Sequence, residues 1–381
     1  MAEKRSIFEE VTDHAQQRAA APVGNLIDRK PRGASRAIQM WLVVLFLLVV
    51  CMIAVGGLTR LTDSGLSITE WRPLTGAIPP LSEADWQSEF EKYQAIPEFK
   101  VQNAWMKLDD FKEIYWWEWG HRQLGRAIGL VWAIGFLGFL VARKIPSGWT
   151  GRLFWIGVLG GLQGAVGWWM VSSGLSGHMM DVASYRLAIH LGLAFVILGY
   201  LAWYIFGLQR SGQDLLQARR NRDSRLVLIS TIWAGFTLVQ VLLGALVAGI
   251  DAGRSYTDWP LMGSNIVPQD AFVLTPLWSN FFENPGLVQF IHRCVGYALL
   301  AFAIYAWRNG RASAHRRTQA SFNLAFVALC FQVLLGIATV MTSAPWHIAI
   351  LHQLLAVAVW VMILWARFLS HYPITTSIRG S

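Results

Sequence analysis

The sequence predicts an all-α polytopic membrane protein with eight transmembrane helices, arranged as two tandem pseudo-symmetric four-helix bundles. Three observations carry that prediction. Of 381 residues, 54% are hydrophobic and only 14% charged, where a soluble chain carries nearer a quarter charged. Eight apolar stretches reach the roughly 20 residues that a helix needs to cross a hydrocarbon core. Motifs bordering the first four stretches recur at the second four. Twenty Trp, twenty Phe and thirty-four Gly complete a composition suited to interfacial aromatic belts and close helix contacts. Disorder, a collagen-like repeat and a disulfide scaffold are excluded.

The spans are predicted near Ile38–Leu58, Trp119–Val141, Leu153–Ser173, Arg186–Phe206, Leu226–Ile250, Val288–Trp307, Phe322–Thr342 and His347–Phe368. No water inside a bilayer satisfies bare backbone groups, so each must be a helix, and its glycines are read as packing points. Orientation follows from Lys and Arg. The N-terminal tail has Lys4, Arg5, Arg18, Arg29, Lys30, Arg32 and Arg36. The even-numbered connections have Arg143, Lys144 and Arg152, then Arg210, Arg219, Arg220, Arg222 and Arg225, then Arg308, Arg311, Arg316 and Arg317. All alternate onto one face, which the positive-inside rule makes cytoplasmic, with both termini inside. The loop from Arg60 to Trp117 instead carries ten acids against six bases, and the loop from Asp251 to Pro285 also leans acidic. The net charge of +9 therefore reflects topology and not a nucleic-acid partner.

The expected organisation is a cytoplasmic N-terminal tail (1–36), a first half (37–208), a cytoplasmic linker (209–225), a second half (226–369) and a cytoplasmic C-terminal tail (370–381). With Glu3, Glu9, Glu10 and Asp13 and no compact apolar region, the N-terminal tail reads as neither a transit peptide nor a cleavable signal, which places the protein in a bacterial inner membrane. Cys51, Cys294 and Cys330 all fall in spans and are read as small packing residues with no outer-face disulfide.

The repeat is specific. The first span leads into Thr69-Glu70-Trp71 and Pro73-Leu74-Thr75-Gly76, the fifth into Thr257-Asp258-Trp259 and Pro260-Leu261-Met262-Gly263. The second and sixth spans share His121-Arg122 and His292-Arg293, with Gly125 and Gly296 four residues after the histidine. The fifth and seventh both contain Gln-Val-Leu-Leu-Gly, at Gln240–Gly244 and Gln332–Gly336, and the third has the looser Gln163–Gly167. An even number of helices per half makes the halves parallel repeats.

Of nine histidines, His14, His315 and His371 fall in cytoplasmic segments and His178 and His347 on or beside outer loops. His121, His190, His292 and His352 sit one each in spans two, four, six and eight. Each is about two to five residues past its span's start, or roughly 3–8 Å at 1.5 Å per residue, so all four are expected in one layer of the outer leaflet. A lone intramembrane histidine reads first as a hydrogen-bonded core residue; four in this layout need a common cause. Polar groups in lipid are costly, and imidazole pairs on facing helices are what axial ligation of haem iron requires. Zinc or copper would want a third or fourth ligand at the same point. The halves differ at one place: Glu118 precedes His121 by three residues, and Gln289 stands there before His292. Glu118 reads either as an interfacial carboxylate paired with Arg122 or Arg126, or as a proton-handling or substrate-orienting group beside one haem. Arg122 and Arg293 point toward haem propionates or lipid headgroups.

The string Glu118-Trp119-Gly120-His121-Arg122-Gln123-Leu124-Gly125-Arg126, the four histidines and the paired loop segments resemble the haem A synthase family, from the first span to the eighth. The likeness is to its proteobacterial and mitochondrial branch, because a cysteine pair in the first outer loop of other members is absent here. The resemblance implies oxidation of the C8 methyl of haem O to a formyl group, giving haem A for terminal oxidases, by two hydroxylations and loss of water from the geminal diol. It implies a haem b cofactor held axially by His292 and His352, a substrate haem held by His121 and His190, and a catalytic role for Glu118. Haem O synthase, a membrane electron acceptor and a second copy of the chain are the partners it leaves open, beside lipid itself. A dihaem b-type cytochrome passing electrons between quinol and a partner would use the same four histidines, but would not need the halves to differ at Glu118 and Gln289. A carrier would call for broken helices, and no Pro interrupts the middle of any span.

Overall fold

A computed structural model describes residues 32–177 and 179–374. The charges of the N-terminal tail through Lys30, together with His14, His178 and the tail from residue 375, lie outside the described residues. In chain order the helices are α1 (Arg32–Leu61), α2 (Glu83–Gln94), α3 (Pro97–Val101), α4 (Leu108–Val141), α5 (Thr150–Val171), α6 (Ser184–Leu208), α7 (Gly212–Arg220), α8 (Ser224–Gly249), α9 (Asn280–Glu283), α10 (Pro285–Arg311), α11 (Arg316–Met341) and α12 (Trp346–His371). Eight of them, α1, α4, α5, α6, α8, α10, α11 and α12, are long and apolar enough to cross a membrane. The chain is an all-helical, multi-pass membrane protein.

Local chemistry sets the helix starts. Asp223 accepts the Leu226 N–H at 3.0 Å to open α8, and Asn284 accepts the Leu287 N–H at 2.8 Å to open α10, with Pro285 at its first position. Both are N-caps that satisfy a donor the helix leaves bare. Within the segment expected as a plain linker, Ser211 and Asp214 cap each other reciprocally and start α7.

Seven predicted spans match the observed helices to within a few residues at most ends. The second does not: α4 begins at Leu108, eleven residues before Trp119. Asp109, Asp110, Lys112 and Glu113 depress the hydropathy of that stretch, yet Phe111 and Tyr115 recur one turn apart and are buried. They pack beneath a cap built by the chain between α1 and α4, where Tyr93, Phe90, Trp86, Ile96 and Leu66 form a separate apolar cluster with them. The extension is amphipathic, which a search for uniform apolarity passes over.

Within the first four spanning helices, α1 packs on α4 and α6, and α5 bridges α4 to α6. Within the second four, α8 packs on α10 and α12, and α11 bridges α10 to α12. Contacts of α6 with α8, and of α12 with α6 and α1, join the two sets. The inward stripe of α1 is Ile38, Leu42, Leu45, Val49 and Ile53, all buried at helical spacing. Close approach is local: a side chain at Gly57 would collide with Gln353, whose amide donates to the Ile53 carbonyl at 2.8 Å. Leu130, Ile134, Leu137 and Val141 of α4 and Trp155 and Leu162 of α5 are exposed, an apolar exterior suited to lipid.

Candidate active site

Each of the four span histidines rests against a glycine of the preceding spanning helix. A Cβ at Gly56 would stand 3.1 Å from His121 Nε2; at Gly167, Gly244 and Gly336 it would stand 2.9, 3.1 and 2.9 Å from Cε1 of His190, His292 and His352. Every notch glycine lies four or five residues before the end of its helix, so the four rings share one level measured from that end. The expected ruler, distance from the histidine's own helix start, fails for His121. It is the fourteenth residue of α4, whereas the other three are seventh or eighth in theirs, because α4 continues up under the cap.

Three rings have a glutamine one turn before the notch. Gln163 Nε2 lies 3.2 and 3.3 Å from the His190 ring nitrogens and donates to the His190 carbonyl at 3.0 Å. Gln240 does the same to His292, and Gln332 to His352, each with a 3.0 Å bond to the carbonyl. The sequence displays these glutamines as a repeat but gives them no role; the clue was a Gln-to-Gly spacing of four in three of the four helices that precede a histidine helix. His121 and His190 bear electrostatically on each other, as do His292 and His352. All four histidines are only half-buried.

Glu118 is 2% exposed and its carboxylate is fully engaged. It accepts from the Ser67 hydroxyl at 2.8 Å and the Ile68 N–H at 2.7 Å on one oxygen, and from Arg122 Nε and Nη2 at 3.0 and 2.6 Å on the other. Arg122 also donates to the carbonyls of Ile68 and Glu70. The second half repeats the arrangement with an amide: Gln289 donates to the carbonyls of Ala252 and Tyr256, while Arg293 donates to Tyr256, Leu261 and the Gln289 carbonyl oxygen. Both arginines thus donate to loop backbone and to the side chain four residues before them. The paired loop tryptophans dock as well, Trp71 stacking on Trp168 of α5 at 5.9 Å and Trp259 donating to the Tyr297 hydroxyl at 2.9 Å.

Two charged features escaped the sequence reading. Arg60, ending α1, pairs with Asp63 and Asp251 at 2.8 Å and with Asp181 at 3.5 Å, tying the two helix sets together on the cap side. Asp63 and Asp251 are both left-handed and both stand seven residues past a notch glycine. Beneath the cap, Glu98 is 3% exposed, with long contacts of 3.4 Å from Tyr93 and Asn103 to one oxygen and no partner on the other. Burial, with Asp181 and Asp63 nearby, pushes its carboxyl up to about 8.

Among the described residues no three His, Cys, Asp or Glu side chains gather where a metal could be held. The donors on offer are imidazole pairs from alternate spanning helices. They do not suit bare zinc or copper, and they do suit an iron whose equatorial positions a porphyrin already fills.

This fold and site define a multi-pass helical membrane protein with four imidazoles set at one level of its spanning helices. The chain belongs to the cytochrome oxidase assembly protein family, whose model matches residues 39–364. It is 66% identical to the Heme A synthase of Ruegeria pomeroyi over the whole of both chains. It is 65% identical to the Heme A synthase of Ruegeria sp. strain TM1040 over 99% of each chain. It is 56% identical to a Heme A synthase of Cereibacter sphaeroides, over 99% of this chain and 98% of that one.

Proposed function

We propose that this chain is a haem A synthase, oxidising the C8 methyl of haem O to the formyl group of haem A. The carrying observation is that two matching histidine pairs are unequal: the turn before His121 holds a buried carboxylate, and the turn before His292 holds an amide. The full-length likeness to proteins named Heme A synthase supports the same reading. In it His121 and His190 hold the substrate haem, and His292 and His352 hold a haem b. That haem b, when bound, supplies one-electron transfer to or from the first site.

The reaction is two successive hydroxylations at one carbon. Written with water, each turns a C–H bond into C–OH as one H2O enters and two protons and two electrons leave, the electrons passing to the membrane electron acceptor; the geminal diol then loses water to leave C=O. The chain's own part would be to hold the substrate haem through its iron, with His121 and His190 as ligands, and to handle protons at Glu118. For Glu118 to accept one, Ser67 or Arg122 must release an oxygen, which couples the cap segment at Ser67-Ile68 to the chemistry. Residues 37–208 and 226–369 act as the two halves. The positive-inside rule, applied to the Lys- and Arg-rich connections, favours a bacterial inner membrane, cytoplasmic termini and haem sites toward the outer face. The farnesyl-derived tail of haem O then stays in lipid.

Mass analysis of haems extracted from purified protein, with and without co-expressed haem O synthase, tests the reading. Haem b accompanied by haem O, its alcohol or haem A is expected; haem b alone in both sites would identify a dihaem electron carrier instead. Glu118→Ala should keep haem b while conversion stalls at haem O or the alcohol, and normal haem A output from it would remove Glu118 from the mechanism.

A further inference from the structure

Taking the haem reading above as given, we propose that Met52 makes His121 the exchangeable ligand of the first pair, whereas Gln163, Gln240 and Gln332 fasten the other three histidines in place.

Met52 stands four residues before Gly56, the register that Gln163 keeps to Gly167, Gln240 to Gly244 and Gln332 to Gly336. The two kinds of side chain fill the same place. Met52 Cε lies 3.4 Å from a Cβ built at Gly125, and Gln240 Nε2 lies 3.2 Å from one built at Gly296. Those two glycines follow His121 and His292 by four residues. A thioether therefore occupies beside His121 the position that the Gln240 amide occupies beside His292, and among the described residues no such amide bonds to His121.

The ring responds. At Gly167, Gly244 and Gly336 the imidazole atom nearest the notch is Cε1, but at Gly56 it is Nε2. His121 is turned relative to its three counterparts.

The glutamines carry a further mark. Each spends its amide nitrogen on the histidine's backbone carbonyl, and Oε1 of Gln163, Gln240 and Gln332 is buried with no partner. Three equivalent orphans are a shared property of the site, since a buried acceptor left unpaired is costly. The same amide nitrogen stands 3.2, 3.1 and 3.2 Å from Nδ1 of His190, His292 and His352, so one amide holds both the imidazole and the backbone turn that bears it against the neighbouring helix. Methionine has no N–H to donate to that carbonyl and offers no equivalent. The second pair is thus fastened on both sides, as a resident pigment needs. The first is fastened at His190 alone, so the iron can leave His121 by breaking one coordinate bond whose electron pair returns to the ring. A substrate that must enter and a product that must depart need such a ligand.

The test follows haem release from the purified, pigment-loaded protein to an excess of apomyoglobin by absorbance, with electron paramagnetic resonance of the low-spin signals. Two release phases are expected. Met52→Gln should slow the fast phase on the order of tenfold, and Gln332→Met or Gln240→Met should speed the slow phase by a similar factor, the usual size of an outer-shell effect on a metal ligand. Met52→Leu, which removes sulfur without adding an amide, should release haem as the parent does. A fast phase unmoved by Met52→Gln overturns the proposal, and so does loss of a low-spin signal in Met52→Leu, which would make the thioether a ligand. Should Met52→Gln fail to fold, an unchanged slow phase in Gln332→Met overturns it alone. Absence of two bis-imidazole signals from the parent protein overturns the haem reading together with this one, an outcome distinct from intact signals with unmoved rates.

Discussion

In the first half a carboxylate and an arginine hold the peptide of Ile68 from both sides, Glu118 taking its N–H and Arg122 its carbonyl. In the second half an amide and an arginine both reach the carbonyl of Tyr256. The two loops are pinned at the same point of the repeat, and pinning succeeds with a neutral Gln289. A charge at Glu118 is therefore more than loop anchoring requires, and a surplus buried charge, expensive to maintain, marks the half where chemistry is expected.

The comparison is most directly broken at the histidines. His292→Ala should abolish the low-spin haem of the second pair and spare that of the first, and His121→Ala should do the reverse, as read by reduced-minus-oxidised spectra; one signal lost to both substitutions would unify the sites. At the anchors the expected effects are smaller and unequal. Glu118→Ala strands the Arg122 guanidinium, whose side chain is 19% exposed, and should destabilise by about 3–5 kcal/mol. Gln289→Ala leaves only neutral groups and a half-exposed arginine, and should cost about 1–3 kcal/mol. Thermal melting in detergent measures both, and equal losses would mean that the charge contributes nothing particular.

Only the first half carries a large cap, and Glu98 gives that cap a pH dependence. Its folded carboxyl titrates at about 8 against an ordinary 4.5, so between those values the folded cap holds a proton that the unfolded chain has lost. Cap stability is therefore greatest below the lower value and declines as pH rises through the upper one. Protease nicking of the cap, followed from about pH 5 to about pH 9, should increase with pH, and Glu98→Gln should flatten the profile. The smallest effect belongs to the cysteines. Cys51 and Cys294 are exposed, Cys330 is half-buried and all three are free, so replacing them together with alanine should shift stability by no more than about 0.5 kcal/mol each and leave haem content intact.

Hydropathy alone located eight spanning helices, because a bilayer forces long uniform apolar runs. The level of the histidines was legible too, but measured from an end of α4 that the cap displaces; the charges of residues 109–113 hid three turns of helix. Glu118 stood out as the acid nearest a span histidine, while its four bonds depended on where Ser67 and Ile68 return. The glutamines were visible as a repeat without a purpose, and Met52 was invisible as their counterpart because it shares their place and not their chemistry. Glu98 was lost among nine other acids of its loop, since only burial distinguishes it.

α4 runs unbroken for 34 residues, a rod about 50 Å long with the cap's aromatic floor near one end and His121 fourteen residues along it. One continuous helix therefore bears both the floor of the cap and His121, so a tilt of α4 as a unit displaces the two together.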